Sequence, residues 1–104
     1  MAFIKRLIWD EWNTAHIARH DVMQEEVKQV ALGDVLIQKG KKGRTALVGP
    51  TDSGRMLRVI LDPEGKDIYY PVTAHTASRK DRALYKQEKE GEKFDKTKKS
   101  DTRF

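Results

Sequence analysis

The stretch RMLRVILDPEGKDIYYPVTAH, residues 55–75, holds two runs of alternating apolar residues on either side of a turn-forming segment. Side chains of a β-strand point to opposite faces in turn, so each run predicts a strand with one buried face. If the turn pairs Leu61 with Ile68, then Val59 lies opposite Tyr70 and Leu57 opposite Val72. We expect this hairpin to form the centre of an antiparallel sheet.

This register divides the hairpin into two faces. The face expected to pack against helices carries Arg55, Leu57, Val59, Leu61, Ile68, Tyr70, Val72 and Ala74. The opposite face is expected to carry Met56, Arg58, Ile60, Tyr69, Pro71, Thr73 and His75. A slip of one residue would exchange the two faces, because the side-chain period of a strand is two.

Two further strands are predicted before the hairpin, in DVLIQKG (34–40) and RTALVGP (44–50), and the short turns between them imply an antiparallel meander. A first strand is predicted in FIKRLIW (3–9). The expected sheet therefore has five strands.

Helices are predicted before and after the meander. Asp10 suits the N-cap of a helix over residues 11–19, and QEEVKQVAL (24–32) predicts a second helix that ends at Gly33. Ser78 suits the N-cap of a third helix, with Asp81 at the position of a capping box. The element order β-α-α-β-β-β-β-α predicts an α+β fold with two N-terminal helices and one C-terminal helix.

Size and composition limit the function classes. The chain has 104 residues, enough for one hydrophobic core, which we expect in residues 1–90, followed by a flexible, charged tail in residues 91–104. Without cysteine, the chain can form neither a disulfide nor a cysteine-based zinc site or nucleophile. No apolar run predicts a signal peptide or a membrane span, so we expect a cytoplasmic protein that does not bind membranes.

The net charge of +5 is unevenly distributed. Residues 1–32 hold four basic and five acidic residues, so the whole basic excess lies in residues 33–104. Such an excess favours a polyanionic partner such as RNA, or an acidic protein. A solubilising role for the charges after residue 86 is the plainer alternative.

The stretch WDEWNTAHIARHDV, residues 9–22, places two tryptophans and two of the three histidines on one short helix. His16 and His20 have the spacing of a zinc pair, but a useful site needs a third ligand, which the sequence does not supply. We therefore predict no metal site and no cofactor. Trp9, Trp12 and Ile17 are expected in the core, with a histidine hydrogen-bonded at its rim.

Together these motifs resemble the BrnT family of ribonuclease toxins, which are RelE-like proteins of type II toxin–antitoxin systems. The resemblance is carried by WDEWNTAHIARHDV followed by EEV, by GRMLRVIL, and by YPVTAHTASRKDRALY, in the family's order, and covers residues 5–86. It implies a RelE-like fold, a ribonuclease that inhibits translation, and a DNA-binding antitoxin as partner. It also implies catalytic roles for Arg55 and Asp81. His75 stands where the family usually has an arginine, and a histidine can bind phosphate or transfer protons near neutral pH.

Metal-independent RNA cleavage needs a base for the 2′-hydroxyl, an acid for the leaving oxygen and cations for the phosphate. The catalytic candidates are Arg55, His75 and Asp81, with Tyr85 as a further member of the pool. The predicted RNA-binding residues are Arg44, Arg58, Lys66, Arg79 and Arg82.

Each candidate has a plainer interpretation. His75 is also an ordinary polar residue at a strand end, and Asp81 a helix cap. Arg55 also suits a surface ion pair with Asp52 or Asp81, and Lys66 a solvated turn.

The sequence thus predicts the ribonuclease toxin of a toxin–antitoxin pair. The alternative is a non-catalytic RNA- or protein-binding module on the same fold, so enzymatic activity is left open, as is assembly into a homodimer.

Overall fold

A computed structural model describes the backbone of residues 4–101 and the side chains of residues 4–90. The helices are α1 (Glu11–Ala18), α2 (Gln24–Leu32) and α3 (Arg79–Asp101). The strands are β1 (Arg6–Leu7), β2 (Leu36–Lys39), β3 (Thr45–Pro50), β4 (Met56–Gly65) and β5 (Ile68–Thr76), and one 3₁₀ turn (Lys41–Gly43) joins β2 to β3. The predicted α+β class and element order are confirmed.

The five strands form one sheet in the order β1-β5-β4-β3-β2. Strands β2 to β5 are the predicted antiparallel meander. The sheet is nevertheless mixed, because β1 pairs in parallel with β5 over residues 6–7 and 68–69. The predicted antiparallel pairing is confirmed for β2 to β5, and the partner of β1, for which no pairing was predicted, is the parallel strand β5.

The hydrophobic core lies between α1, α2 and one face of the sheet, which we call the inner face. Leu57, Val59 and Leu61 of β4 are fully buried there. The helices and neighbouring strands complete this core with Ile4, Ile17, Val22, Val27, Val30, Leu47 and Ala74. The predicted apolar stripe of β4 is therefore confirmed.

The opposite, outer face of the sheet is covered in part by α3. Ala46 and Val48 are buried although they alternate with the inner-face Leu47, so β3 is buried on both faces. Helix α3 contacts β2 and β3. The outer face of β4 and β5 is only half covered.

The register between β4 and β5 differs from the prediction. The turn is only Lys66 and Asp67, so Leu61 lies opposite Pro71, and Val59 opposite Ala74. The pairing shifts between residues 60 and 61, which leaves Val72 without a direct partner, as in a β-bulge.

Because of the bulge, residues of β5 before Thr73 face the side opposite to the predicted one, whereas residues from Thr73 onward face the predicted side. Pro71 is buried and Tyr69 packs against the core, although both were expected on the outer face. Thr73 and His75 lie opposite Ile60 and Arg58, on the outer face as predicted.

The predicted flexible tail, residues 91–104, lies outside the residues whose side chains the structure describes. Backbone of α3 is described through Asp101, and residues 102–104 are outside the described chain. Among the described residues, none of the helices is long and apolar enough to cross a membrane.

Candidate functional site

All three histidines of the chain come together at the end of β5. The ring centroids of His20 and His75 lie 6.0 Å apart, edge to face, and those of His16 and His20 lie 5.5 Å apart. Trp12 stacks on His16 at 5.0 Å with an interplanar angle of 5°. We call these four residues, Trp12, His16, His20 and His75, the ring row.

Helix α1 and the turn after it present Trp12, His16 and His20 to solvent because the other side of the helix is buried. Asn13 and Ile17, one turn apart, are fully buried against the sheet. Residues 12, 16 and 20 follow the same four-residue spacing on the solvent side. Trp12 is 58% exposed, so its predicted place in the core was wrong, whereas Trp9 and Ile17 do pack there. Neighbouring residues on one side of a helix can lie on either side of the boundary between core and solvent. The sequence pattern alone did not show that Trp12 lies on the solvent side of this boundary.

Asn13 fixes the position of α1. Its Oδ1 accepts from the backbone N–H of Asp10, while the carboxylate of Asp10 accepts from the backbone N–H of Asn13, both at 2.9 Å. Its Nδ2 donates to the carbonyl oxygens of Ile8 and Pro71, each at 3.0 Å. The second bond satisfies a carbonyl on the edge of β5. The WDxxN spacing of the sequence therefore forms a capping box that ties α1 to the sheet.

A hydrogen bond to the backbone orients His75. Its Nδ1 lies 3.0 Å from the carbonyl oxygen of Thr76, which can only accept, so Nδ1 carries a proton. In the neutral ring the lone pair is then on Nε2, which can act as a base, and the protonated ring can act as an acid. His75 lies directly opposite Arg58 across the two strands.

Arg58 is the predicted cation that shares the outer face with His75. Its Nη1 contacts Oδ1 of Asp81 at 3.2 Å. The other guanidinium nitrogens have no partner among the described residues. Because 29% of the side chain is exposed, these nitrogens can donate to a phosphate from solution.

Asp81 has the capping role that its sequence position predicts. Its backbone N–H donates to the hydroxyl of Ser78 at 3.0 Å, and its Oδ2 accepts from the backbone N–H of Ser78 at 3.1 Å. The carboxylate thus joins the start of α3 to Arg58. It is an anchor for the arginine as well as a helix cap.

Arg55 bonds to other parts of the protein through both of its terminal nitrogens, although its side chain is 29% exposed, like that of Arg58. Its Nη1 donates to the carbonyl oxygen of Asp21 at 2.6 Å and contacts the carboxylate of Glu26 at 3.2 Å. Its Nη2 donates to Thr76 Oγ1 and to the carbonyl oxygen of His20. The plainer interpretation of Arg55 named Asp52 or Asp81 as its ion-pair partner, but the partner is Glu26, because the connection between α1 and α2 reaches this end of β4. Arg55 clamps that connection and so positions His20 beside His75.

The remaining predicted residues divide between two regions. Arg79 and Arg82 are exposed in the first turn of α3, a few residues after His75. Arg44 pairs loosely with Asp62 at 4.0 Å, towards the opposite end of β4. Lys66 is in the β4–β5 turn, about 25 Å from His75 at the usual rise of ~3.3 Å per strand residue. Tyr85 donates from its hydroxyl to the carbonyl oxygen of Asp34 at 2.7 Å and holds α3 against β2.

Shifted pKa values occur at the start of α1, for Asp10 and Tyr70. The backbone N–H of Asn13 holds the pKa of Asp10 below its ordinary value, and the hydroxyl of Tyr70 acts in the same direction. Burial raises the pKa of Tyr70, and its hydrogen bond to the Asp10 carboxylate adds to that effect. These shifts reflect the cap of α1.

A metal-binding arrangement is not formed by the histidines. Within the described part of the chain, no three His, Asp or Glu side chains are placed to hold one ion. The clustering of His20 with His75 is what sequence reasoning missed, since it assigned the histidines of α1 to packing. Their four-residue spacing was the available signal.

No protein-family model matches the sequence, and no curated protein matches it. Among solved structures, the chain is similar to the BrnT ribonuclease toxin of Brucella abortus, with a TM-score of 0.59. The two share 21% sequence identity, and the similarity covers 71% of this chain and 97% of the toxin. Three helices around a five-stranded sheet, in this order, are therefore an α+β arrangement with a known counterpart. The chain has the fold of the BrnT ribonuclease toxin.

Proposed function

We propose that this protein is a metal-independent endoribonuclease that acts as the toxin of a toxin–antitoxin pair. The observation that carries the proposal is the meeting of His20 and His75 beside Arg58, on the fold of a ribonuclease toxin. Two imidazoles supply the acid and the base that RNA cleavage requires, and the arginine supplies positive charge for the phosphate.

The proposed reaction is transfer of the phosphate to the neighbouring 2′-oxygen. One imidazole removes the 2′-hydroxyl proton, the 2′-oxygen attacks phosphorus, and the bond to the 5′-oxygen breaks. The second imidazole, protonated, donates its proton to that leaving oxygen. We assign the base role to Nε2 of His75, because its Nδ1 is held by the carbonyl of Thr76. His20 is then the acid.

Positive charge near His75 supports phosphate binding. Arg58 has guanidinium nitrogens without a partner in the described part of the chain, and they can contact the non-bridging oxygens, which gain charge as the 2′-oxygen attacks. The first turn of α3 adds Arg79 and Arg82 and the positive end of the helix dipole. Arg55 and Asp81 act differently in this proposal: Arg55 positions His20, and Asp81 positions Arg58.

Arg44 and Lys66 are too distant to contact the same phosphate. We assign them to the backbone of a longer RNA that extends along the β4–β5 hairpin. Their contribution would be non-specific and would decrease as salt increases.

A cleavage assay tests the activity. Single-stranded RNA is incubated with the purified protein in the presence of a chelator, and the products are examined for 2′,3′-cyclic phosphate ends. We expect His75→Ala and His20→Ala each to slow cleavage by about 10²- to 10⁴-fold, as is usual for removal of a general acid or base. A chain with Lys28→Ala, which removes an exposed cation of α2 that has no role in the proposal, serves as the matched control.

Cleavage that survives in the doubly substituted His20→Ala, His75→Ala chain would refute this catalytic assignment. Loss of cleavage on chelation would refute the metal-independent reaction.

The partner follows from the same proposal. We infer that an antitoxin with an acidic or apolar surface, itself a DNA-binding protein, covers the basic outer face and excludes RNA by competition. Induced expression should arrest growth, and coexpression of the neighbouring open reading frame should relieve the arrest. The His75→Ala chain should leave growth unaffected, and arrest by that chain would point to a mechanism other than RNA cleavage.

A non-catalytic RNA- or protein-binding module is the second candidate. It is favoured by the contact of Arg58 with Asp81, which offsets part of the charge available for a phosphate. Such a module would retain RNA in a salt-dependent manner without producing cyclic phosphate ends. The same assay therefore separates the two functions.

A further inference from the structure

The ring row continues beyond the two histidines of the proposed reaction. Trp12 is 58% exposed although it is one of the most apolar side chains of the chain, and it lies two ring-to-ring steps of 5.0 and 5.5 Å from His20. Packing of the core does not explain Trp12, since its helix neighbours Asn13 and Ile17 already bury the inner side of α1. Tryptophan is enriched at binding interfaces relative to the rest of a protein surface.

The row is held in a fixed geometry. The capping box of Asp10 and Asn13 sets the start of α1, and the clamp of Arg55 on the carbonyl oxygens of His20 and Asp21 holds its end. Trp12 and His16 therefore project from a helix secured at both ends, and His20 lies in the clamped turn that follows it. Little conformational entropy is lost when a planar ligand stacks on such a surface.

The chemistry at the end of the row indicates the ligand. His75 and Arg58 are suited to a phosphodiester, and each ribose that an RNA phosphodiester joins carries a planar base. Single-stranded RNA is commonly bound by stacking its bases on aromatic side chains while cations hold the backbone. A double helix keeps its bases stacked on one another and would not use such rings.

We propose that Trp12 and His16 form a stacking site for the bases of single-stranded RNA next to the phosphate held at His75. This inference rests on the proposed function, because it takes RNA as the ligand. It adds the substrate class, an unpaired strand, and a binding residue, Trp12, that takes no part in the proton transfers.

The experiment uses a 2′-O-methyl oligoribonucleotide, which lacks the attacking hydroxyl and so measures binding without cleavage. Its affinity for the full chain is measured by fluorescence anisotropy, beside a matched oligonucleotide with abasic positions. We expect Trp12→Leu to weaken binding of the normal strand by about 5- to 100-fold, the range for loss of one stacked base. Trp12→Phe, which retains a ring, should recover most of that loss. Leu32→Ala is the control, because Leu32 is 66% exposed but lies outside the ring row.

The abasic strand makes the test specific. It should bind the unsubstituted chain more weakly than the normal strand does, and Trp12→Leu should not weaken it further, because there is no base left to stack. Equal affinity of Trp12→Leu and the unsubstituted chain for the normal strand overturns the inference, as does an equal loss with both strands. Failure of every single strand to bind also overturns it.

These outcomes are separate from those of the cleavage assay. Trp12-dependent binding without any RNA cleavage supports the stacking site and refutes the endoribonuclease. Histidine-dependent cleavage with Trp12-independent binding supports the endoribonuclease and refutes the stacking site.

Discussion

The inner and outer sides of two elements, β4 and α1, have opposite roles in this molecule. On β4, Leu57 is fully buried in the core, whereas Arg58, the next residue, faces the half-covered outer face. On α1, Asn13 is fully buried and Trp12 beside it is exposed. The inner side of each element stabilises the domain, and the outer side is available for chemistry. Substitutions on the inner side should therefore lower the free energy of unfolding more than substitutions on the outer side do.

The largest difference in stability is expected on β4. Leu57→Ala should lower the free energy of unfolding by about 3–4 kcal/mol, because it leaves a cavity in a closed core. Ile60→Ala, on the half-buried outer side of the same strand, should cost about 1 kcal/mol or less. Urea unfolding of both chains measures the difference. Equal losses would contradict the assignment of the two faces.

A smaller difference is expected on α1. Asn13→Ala should cost about 2–3 kcal/mol, because it removes a cap and leaves buried polar groups without partners. His16→Ala, on the outer side, should cost no more than about 1 kcal/mol. Thermal unfolding monitored by circular dichroism compares them. A stable Asn13→Ala chain would show that the capping box does not secure the helix.

The two arginines extend the comparison to charged groups. Arg55→Gln should cost about 1–2 kcal/mol, because four acceptors lose a guanidinium and the residue is only partly exposed. Arg58→Gln should cost less than about 1 kcal/mol, since it removes one partly exposed ion pair. RNA affinity should fall more in Arg58→Gln than in Arg55→Gln, and the affinity of Arg58→Gln should depend less on salt. Unfolding and anisotropy titrations measured on the same two chains check both statements.

The smallest effect is a pH dependence at the cap of α1. The lowered pKa of Asp10 means that its contribution to stability is present above the ordinary value of 3.8 and is lost as pH falls through the folded-state pKa. The raised pKa of Tyr70 means that its contribution is present below the ordinary value of 10.0 and is lost as pH rises through the folded-state pKa.

Tyr70→Phe tests the loss of stability that is expected at alkaline pH. The melting temperature of the substituted chain should fall less steeply above about pH 10 than that of the unsubstituted chain. Identical alkaline slopes would show that Tyr70 does not contribute. The acid slope should remain in Tyr70→Phe, because the backbone N–H of Asn13 still contacts the Asp10 carboxylate.

Local patterns predicted most of the fold. The boundaries of α1 and α2 and the four strands of the meander agree with the sequence reading, because caps, turn residues and apolar periodicity act over a few residues. The register of β5 was not predictable in this way. A bulge at Val72 adds one residue to one strand, and alternation shows apolar positions without showing which residue is left unpaired.

Less of the candidate site was predictable. Arg58 was predicted to bind RNA, and His75 and Asp81 were catalytic candidates through the family resemblance; the structure places Arg58 opposite His75 and in contact with Asp81. Arg55 was identified but is committed to Glu26 and to the carbonyls after α1, whereas His20 was assigned to packing. Arg55 and Glu26, like His20 and His75, are more than 25 residues apart in the chain, a separation that no local spacing rule covers.

By itself, then, the sequence determined the order of the elements, the apolar face of β4 and the caps of the helices, because each depends on the period and chemistry of neighbouring residues. Only the tertiary structure decided that the three histidines meet, that both terminal nitrogens of Arg55 are bonded whereas Nη2 of Arg58 has no partner among the described residues, and that Trp12 faces solvent. Each of those outcomes depends on how α1 packs across the end of the sheet, and that packing is set by contacts between distant parts of the chain.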